Sequence, residues 1–190
     1  MNYEEIESLL KKALTPERFK HTMGVVETSL KLAQRYGCDK EKTRYAALLH
    51  DCAKNYEASE LKKLCRKYDI RLDHVSKRES RLLHAYVGAY MAKDIYGIED
   101  EEIFDAIYFH TTGKKEMSLL CKIIFLADAI EPHRCYGERL DEIRKLAFEN
   151  LDEALIINLD ETIHYIINKG RLLHLDTLKA RNFLLENVKG

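Results

Sequence analysis

The chain has 190 residues, the length of one ordinary domain, and its 31 Lys and Arg nearly balance its 32 Asp and Glu, leaving a formal net charge of −1 at pH 7. This balance excludes a broad electrostatic nucleic-acid binder as the default expectation, although a small phosphorylated ligand needs only a few local cations. A hydrophobic content of 46% argues against disorder, and two prolines and eight glycines are too few for a turn-rich β-sandwich.

Capping residues and apolar spacing predict two helices in the first part of the chain. Asn2 and Glu5 have the spacing of a capping box, which predicts a helix that ends near residue 13. Thr15 and Pro16 then predict an N-cap and a first-turn proline, and Gly37 predicts the end of this second helix. Its apolar stripe, at three- and four-residue spacing, consists of Phe19, Met23, Val26, Leu30 and Ala33.

The rest of the chain is also predicted to be helical, and its most apolar segment is Leu119–Ile130. This segment predicts a buried central helix that Pro132 ends. Asp39 and Asp176 are the predicted N-caps of the third and last helices, whereas the polar segment 69–81 predicts a long surface loop. The other helices are predicted over residues 40–52, 58–68, 82–95, 100–110, 138–148 and 151–168, and the last helix is predicted to end near residue 187.

The overall organisation follows from what these patterns lack. No segment alternates as a β-strand does, and no linker or repeat divides the chain, so residues 1–190 are predicted to form a single all-α domain, a helical bundle with a C-terminal helical tail. No stretch approaches the roughly 18 apolar residues that span a membrane, and no apolar signal core opens the chain, so we expect a cytoplasmic protein without a membrane partner. The five cysteines are odd in number and form no Cys-x-x-Cys pair, which predicts reduced thiols.

Histidines and aspartates near helix ends or in apolar surroundings predict a metal site. Neutral imidazole and carboxylate are the usual ligands of Fe, Mn, Zn and Ni. Asp128 is the most informative, because it lies in an apolar helix where an unpaired carboxylate would be costly, so a metal or a basic side chain must lie nearby. Asp51 has two oxygens and could bridge two metals. The candidate ligands are His21, the adjacent pair His50 and Asp51, His84, His110 and Asp128.

The order of these ligands resembles the His…His-Asp…Asp signature of HD-domain metal-dependent phosphohydrolases. Within that superfamily the chain is similar, over nearly all of its length, to the YqeK-type symmetrical diadenosine tetraphosphate hydrolases. The motifs that carry this similarity are Arg18-Phe19-Lys20-His21-Thr22, His50-Asp51-Cys52-Ala53-Lys54, His110-Thr111-Thr112-Gly113, Ala127 through Arg134, and the tail from Lys169 to Asn182. One difference is Leu175, where the family pattern predicts a proline between His174 and Asp176.

The resemblance implies an all-helical domain with two divalent metal ions, with iron favoured and manganese or another divalent ion as alternatives. It further implies cleavage of diadenosine tetraphosphate into two ADP by a metal-activated hydroxide that attacks the β-phosphorus, with a dinucleoside polyphosphate or ADP as the bound partner, and a homodimer. One metal would be held by His21, His50, Asp51 and Asp128, and the other by Asp51, His84 and His110.

Basic and hydroxyl side chains beside the ligand motifs are candidates for binding phosphate. Lys54 lies one helical turn after His50 if that helix continues, and Arg134 follows the proline break after Asp128. Arg offers a bidentate fork for phosphate oxygens. The predicted catalytic residues are Asp51, Lys54 and Arg134, and the predicted substrate-binding residues are Arg18, His21, Lys54, His84, His110, Thr111, Thr112, Asp128 and Arg134.

Alternatives remain open for these residues and for the function. For Arg18, a pair with a neighbouring acid is favoured over phosphate binding, whereas a helix-terminating turn would explain Thr111 and Thr112 as well as phosphate binding does. Another HD-type enzyme, either a deoxynucleotide phosphatase or a cyclic-nucleotide phosphodiesterase, is the first alternative function. An oxygen-activating di-iron enzyme and a non-catalytic nucleotide-sensing protein are the others. Six ligands argue against the simplest mononuclear enzymes, and the cations beside them argue against a purely structural site.

Overall fold

A computed structural model describes residues 1–135 and 137–188 of the protein. Within these ranges the chain forms ten α-helices and a 3₁₀ turn at Ser80–Leu82, with no strand, which confirms the all-α prediction. The helices are α1 (Tyr3–Ala13), α2 (Pro16–Tyr36), α3 (Lys40–Leu49), α4 (Ala58–Lys67), α5 (Leu83–Asp94), α6 (Glu101–Tyr108), α7 (Leu119–Ile130), α8 (Leu140–Leu146), α9 (Leu151–Asn168) and α10 (Leu175–Val188).

Local capping determines where the first helices begin, as the sequence predicts. The Asn2 side chain accepts from the Glu5 N–H at 2.9 Å, and the Glu5 carboxylate accepts from the Asn2 N–H at 2.9 Å. This reciprocal capping box satisfies two amides that the helix itself leaves unpaired. Thr15 accepts from the Arg18 N–H at 3.4 Å, and the Asp39 side chain accepts from the Lys42 N–H at 3.0 Å.

The third helix is shorter than predicted, because α3 ends at Leu49 and not at residue 52. The His50 ring donates through Nδ1 to the Ala47 carbonyl at 2.7 Å. That carbonyl is the acceptor that the Asp51 N–H would use if the helix continued, so the side chain competes with the helix. Tight turns follow, in which the Lys54 N–H donates to the Asp51 carbonyl at 2.9 Å.

The start of the last helix also differs from the prediction. Asp176 lies in the first turn of α10 and is not its N-cap. Instead, the buried His174 ring accepts from the Asp176 N–H at 3.2 Å through Nδ1, and its Nε2 lies 2.5 Å from a carboxylate oxygen of Asp73. The segment 69–81 is consequently tied to the start of α10, and Ser76 within it is buried with its hydroxyl 3.0 Å from that of Tyr86. The predicted surface loop is therefore anchored at two points, by the contact of Asp73 with His174 and by the buried Ser76.

Helix α2 buries a broader face than its predicted stripe. Phe19, Met23 and Leu30 are only partly buried, whereas Val25 and Leu32 are fully buried. The reason is that α2 packs against both α3 and α7, so two adjoining sides of the helix are covered.

Helix α7 is the buried central helix that the sequence predicts. It is apolar on nearly all sides and packs against α2, α3, α6, α8 and α9. The tail helix α10 packs on α9. No helix in the described ranges combines the length and apolarity that a membrane span requires. All the cysteines are free: Cys52, Cys65 and Cys121 are buried, Cys38 is partly buried and Cys135 is exposed.

Candidate metal centre and active site

The six predicted ligands come from five parts of the fold and lie together around α7. His21 lies within α2 and Asp128 near the end of α7, whereas His84 lies in the first turn of α5. His50 and Asp51 immediately follow α3, and His110 follows α6. The early end of α3 therefore places His50 and Asp51 in a turn, where adjacent side chains can face the same region. On a continued helix, neighbouring side chains would diverge by about 100°.

Two groups of ligand atoms share Asp51. In the first group, the ligand atoms of His21, His50 and Asp51 lie within 4.8 Å of one another, and in the second group those of Asp51, His84 and His110 do. Asp51 Oδ2 lies 3.8 Å from His50 Nε2, whereas Oδ1 lies 3.0 Å from His84 Nε2 and 3.4 Å from His110 Nε2. The two oxygens thus face different groups, which is the arrangement of a bridging carboxylate.

Asp128 adjoins the first group. Its Oδ1 lies 2.9 Å from His21 Nε2 and 3.9 Å from His50 Nε2. Both Nε2 atoms are buried; that of His21 faces the Asp128 carboxylate, whereas that of His50 has no hydrogen-bond partner among the described residues. An unsatisfied buried nitrogen is costly unless something occupies its lone pair. Buried imidazole nitrogens beside carboxylates, one of them without a hydrogen-bond partner, are a donor set that suits a divalent transition metal.

The other ring nitrogen of each histidine is held by an acceptor. The Nδ1 atoms of His50, His84 and His110 donate to backbone carbonyls three residues earlier, at 2.7, 2.6 and 2.7 Å. His21 Nδ1 lies 3.1 Å from a carboxylate oxygen of Glu131. A proton held on Nδ1 leaves Nε2 as the metal-binding atom, so all four rings present the nitrogen that faces the centre.

The charge states of His50, His84, Asp51 and Asp128 suit a metal at neutral pH. Burial lowers the pKa of His50 to about 4 and that of His84 to about 4, so both rings are neutral. Burial alone would raise the pKa of Asp51 and Asp128. The rings of His50 and His84 hold Asp51 ionised with a lowered pKa, and His21, His50 and Arg134 do so for Asp128. For His21, burial is outweighed by Asp128, which raises its pKa.

Acid should therefore destabilise the metal-free protein in a defined pH window. The pKa of His50 and of His84 is lower in the folded state, about 4, than the ordinary 6.5, so the unfolded chain binds more protons between these values. The stability contributed by the two neutral rings is complete above pH 6.5 and is lost as pH falls toward 4, and we expect a loss of several kcal/mol in total. The melting temperature of chelator-treated protein measures this loss.

Substitution of the exposed His164 by Gln should leave this acid sensitivity unchanged, whereas His84→Gln should reduce it. A melting temperature that stays constant from pH 7 to 4.5 would contradict the prediction.

Lys54 and Arg134 reach the ligands, although Lys54 does so from a turn and not along a continued helix. Lys54 Nζ lies 3.3 Å from Asp51 Oδ1 and 2.9 Å from His84 Nε2. Arg134 donates to the Asp128 carbonyl at 2.9 Å and to Asp128 Oδ1 at 2.7 Å. Arg18 donates to the Lys54 carbonyl at 2.9 Å, so the contact it makes is with this turn and not with a neighbouring acid.

A cleft of about 620 Å³ opens beside the candidate metal centre, and this volume is within the range of roughly 300–1,000 Å³ for small-molecule sites. The Thr111 hydroxyl is buried without a partner among the described residues, whereas the Thr112 hydroxyl donates to the Gly113 carbonyl at 2.9 Å. Thr112 thus stabilises the turn after α6, and Thr111 has a hydroxyl that could serve a ligand. The predicted residues that line the cleft are Arg18, Lys54, His84, His110, Thr111, Thr112, Asp128 and Arg134.

Two residues with clear structural roles were not predicted. Glu131 is 1% exposed, contacts His21 and accepts from the His133 N–H at 2.7 Å. Arg144, on α8, donates to the carbonyls of Ile130 at 3.0 Å, of Glu131 at 2.8 Å and of Arg134 at 2.8 Å, and so holds the turn that carries Arg134. The sequence could have indicated a role for Glu131, because an acid directly after an apolar helix is unusual. No local sequence pattern indicates a role for Arg144.

Known proteins match this chain in sequence and in fold. Residues 18–133 match the HD domain family. A Bacillus subtilis protein named symmetrical bis(5'-nucleosyl)-tetraphosphatase is 39% identical over 97% of this chain and 98% of its own length. A Halalkalibacterium halodurans protein of the same name is 42% identical over 100% of both chains. A crystal structure from Clostridium acetobutylicum, described as a predicted HD superfamily hydrolase involved in NAD metabolism, has a TM-score of 0.95 and 43% identity over 98% of both chains. The resemblance in the motifs is thereby confirmed: the chain belongs to the HD-domain family, and its full-length relatives include the symmetrical bis(5'-nucleosyl)-tetraphosphatases.

Proposed function

We propose that the protein is a metal-dependent hydrolase that cleaves diadenosine tetraphosphate into two ADP. The observation that carries this proposal is the pair of ligand groups that share Asp51, beside a cleft. The cleft is lined by His84, His110 and Asp128 and also by Lys54, Arg134 and Arg18. A polyphosphate substrate carries several negative charges, which such a site is suited to neutralise. The names of the full-length relatives support the choice of substrate.

Four imidazole rings whose Nε2 atoms lie near ionised carboxylates form a donor set that fits two divalent ions. In this proposal His21, His50, Asp51 and Asp128 would hold one ion, and Asp51, His84 and His110 would hold the other. Ions at these positions would neutralise phosphate charge and lower the pKa of a water molecule toward neutrality. Iron as the metal, a homodimer and a cytoplasmic location belong to the same proposal and rest on the family resemblance.

The chain's own cations would bind and orient the phosphates. Arg134 is held by the Asp128 carbonyl and Arg18 by the Lys54 carbonyl, so each arginine is fixed to a segment that also carries ligand residues or Lys54. Groups that are positioned before the substrate arrives lose little conformational freedom when they bind it. Lys54 and Arg134 lie beside the ligands and would stabilise the charge that develops on the leaving ADP, while Thr111 could donate to a phosphate oxygen.

The lining of the cleft suits one half of the substrate. It includes Asp128 and His84 and also Tyr165, Arg171 and Leu172 at the junction of α9 and α10. Tyr165 and Leu172 are exposed there and offer an aromatic and an apolar surface against which an adenine could stack. Tight binding of one ADP half is sufficient for symmetric cleavage, because the other half can extend into solvent.

Product analysis in ¹⁸O-labelled water tests the proposal. With diadenosine tetraphosphate we expect ADP as the sole initial nucleotide product, with the label in a β-phosphate. The water oxygen forms the new bond to the β-phosphorus, and the middle bridging oxygen leaves with the other ADP. ADP should also inhibit as a product, since it retains the bound half.

Two outcomes would contradict the proposal. Initial formation of ATP and AMP would show asymmetric cleavage. No turnover of diadenosine tetraphosphate, together with rapid turnover of deoxynucleotides, cyclic nucleotides or NAD in the same panel, would favour a different HD-type phosphohydrolase.

A further inference from the structure

We propose that Glu131 is a positioning residue for His21 and that it strengthens metal binding by the first ligand group selectively. This inference rests on the proposed metal centre. It assigns a role to a buried carboxylate that is not itself among the proposed ligands, and it makes the two ligand groups chemically different.

The position of His21 in the fold explains why it needs a side-chain acceptor. His50, His84 and His110 lie at or beyond helix ends, where a carbonyl three residues earlier accepts from Nδ1. His21 lies inside α2, where the preceding carbonyls already accept from amides of the helix. The acceptor for its Nδ1 must therefore come from another element, and Glu131, 110 residues later in the chain, supplies it at 3.1 Å.

A carboxylate is a stronger acceptor than a carbonyl. It fixes the ring orientation and increases the basicity of the coordinating nitrogen, which strengthens the bond to a metal. Both oxygens of Glu131 are used, because Oε1 faces His21 Nδ1 and Oε2 accepts from the His133 N–H at 2.7 Å. Glu131 is 1% exposed, so solvent does not compete for these contacts.

Helix α2 also leaves space for this carboxylate. A Cβ atom at Gly24 would lie 2.4 Å from Glu131 Oε2 and 3.3 Å from its Cδ, so any larger residue at this position must displace the carboxylate. Glycine within a helix is otherwise unfavourable compared with alanine. The requirement for space beside Glu131 gives a physical reason for glycine at position 24.

Metal titration of Glu131→Gln tests the inference without relying on activity. Glutamine is nearly the same size but has one acceptor oxygen and one NH₂ group. Either His21 Nδ1 or the His133 backbone N–H then faces the NH₂ group and not an acceptor. Metal-free protein is titrated with Mn²⁺ in equilibrium dialysis, and bound metal is measured by elemental analysis. We expect one of two binding steps to weaken by about 10–100-fold and the other to be unchanged. Glu138→Gln, an exposed acid in the same connection, is the matched control and should bind as the wild type does.

Gly24→Ala provides a second variant in which the carboxylate is kept but displaced. We expect the same selective weakening, with helix content by circular dichroism equal to that of the control Gln34→Ala, which changes an exposed residue of α2. Wild-type binding in both Glu131→Gln and Gly24→Ala, or equal weakening of both steps, would overturn the role of Glu131. Failure of the wild-type protein to bind Mn²⁺ in two steps would instead contradict the proposed two-metal centre.

Discussion

Asp51→Ala should abolish the binding of both metal ions and lower kcat by on the order of 10³-fold or more. Asp51 is the one residue shared by the two ligand groups, and its two oxygens face different histidines. Metal ions stabilise transition-state charge by several kcal/mol, and each ~1.4 kcal/mol is tenfold in rate. Bound metal per chain and single-turnover rates with diadenosine tetraphosphate measure the two effects.

Three comparisons separate the loss of metal from a loss of fold. Asp51→Asn preserves the side-chain volume but offers one neutral oxygen, so it should lose metal and activity in the same way. Asp94→Asn, at the exposed end of α5, should bind and react as the wild type does. Chelated wild-type protein should match Asp51→Ala, and added Fe²⁺ or Mn²⁺ should restore the wild type alone. Retention of both ions and a near-normal rate in Asp51→Ala would contradict the bridging role.

Lys54→Ala and Arg134→Ala should each lower kcat/KM by about 10²–10³-fold while leaving the metal content unchanged. A charge-assisted contact made mainly in the transition state is worth roughly 2–4 kcal/mol. Both side chains already lie at the ligands, Lys54 beside Asp51 and His84, and Arg134 beside Asp128. Steady-state kinetics and elemental analysis of the same preparations measure this difference.

A conservative change at Arg134 should separate the effect of its charge from that of its hydrogen-bonding geometry. Arg134→Lys should recover only part of the loss, because lysine keeps the charge but not the fork that donates to two oxygens. Arg66→Ala, which removes an exposed cation at the end of α4, is the control and should have wild-type kinetics. Wild-type kinetics in both alanine variants would show that Lys54 and Arg134 do not act on the substrate.

The sequence alone was sufficient for features that depend on residues close together in the chain. Asn2 and Glu5, three residues apart, predict the capping box that is observed, and Thr15 and Asp39 predict the starts of α2 and α3. The apolar composition of residues 119–130 is sufficient to predict a central helix. The identities of the six candidate ligands could also be predicted, because their order along the chain matches a known family.

Tertiary structure alone decided the features that depend on contacts between distant segments. The end of α3 depends on the direction of the His50 ring, which takes the carbonyl that a longer helix would need. Asp128 and His110, from distant segments, lie beside this ring. The role of His174 as the acceptor at the start of α10 depends on Asp73, which lies about one hundred positions earlier in the chain. Neither arrangement has a local pattern that could predict it.

The same distinction applies within the metal centre. The residue types predict a metal, but the division of Asp51 between two groups is set by where the packing of α5 and α6 places His84 and His110. Glu131 approaches His21 only because α7 packs against α2, since 110 residues separate them in sequence. Composition and spacing therefore determined which side chains could act, whereas helix packing decided which of them face one another.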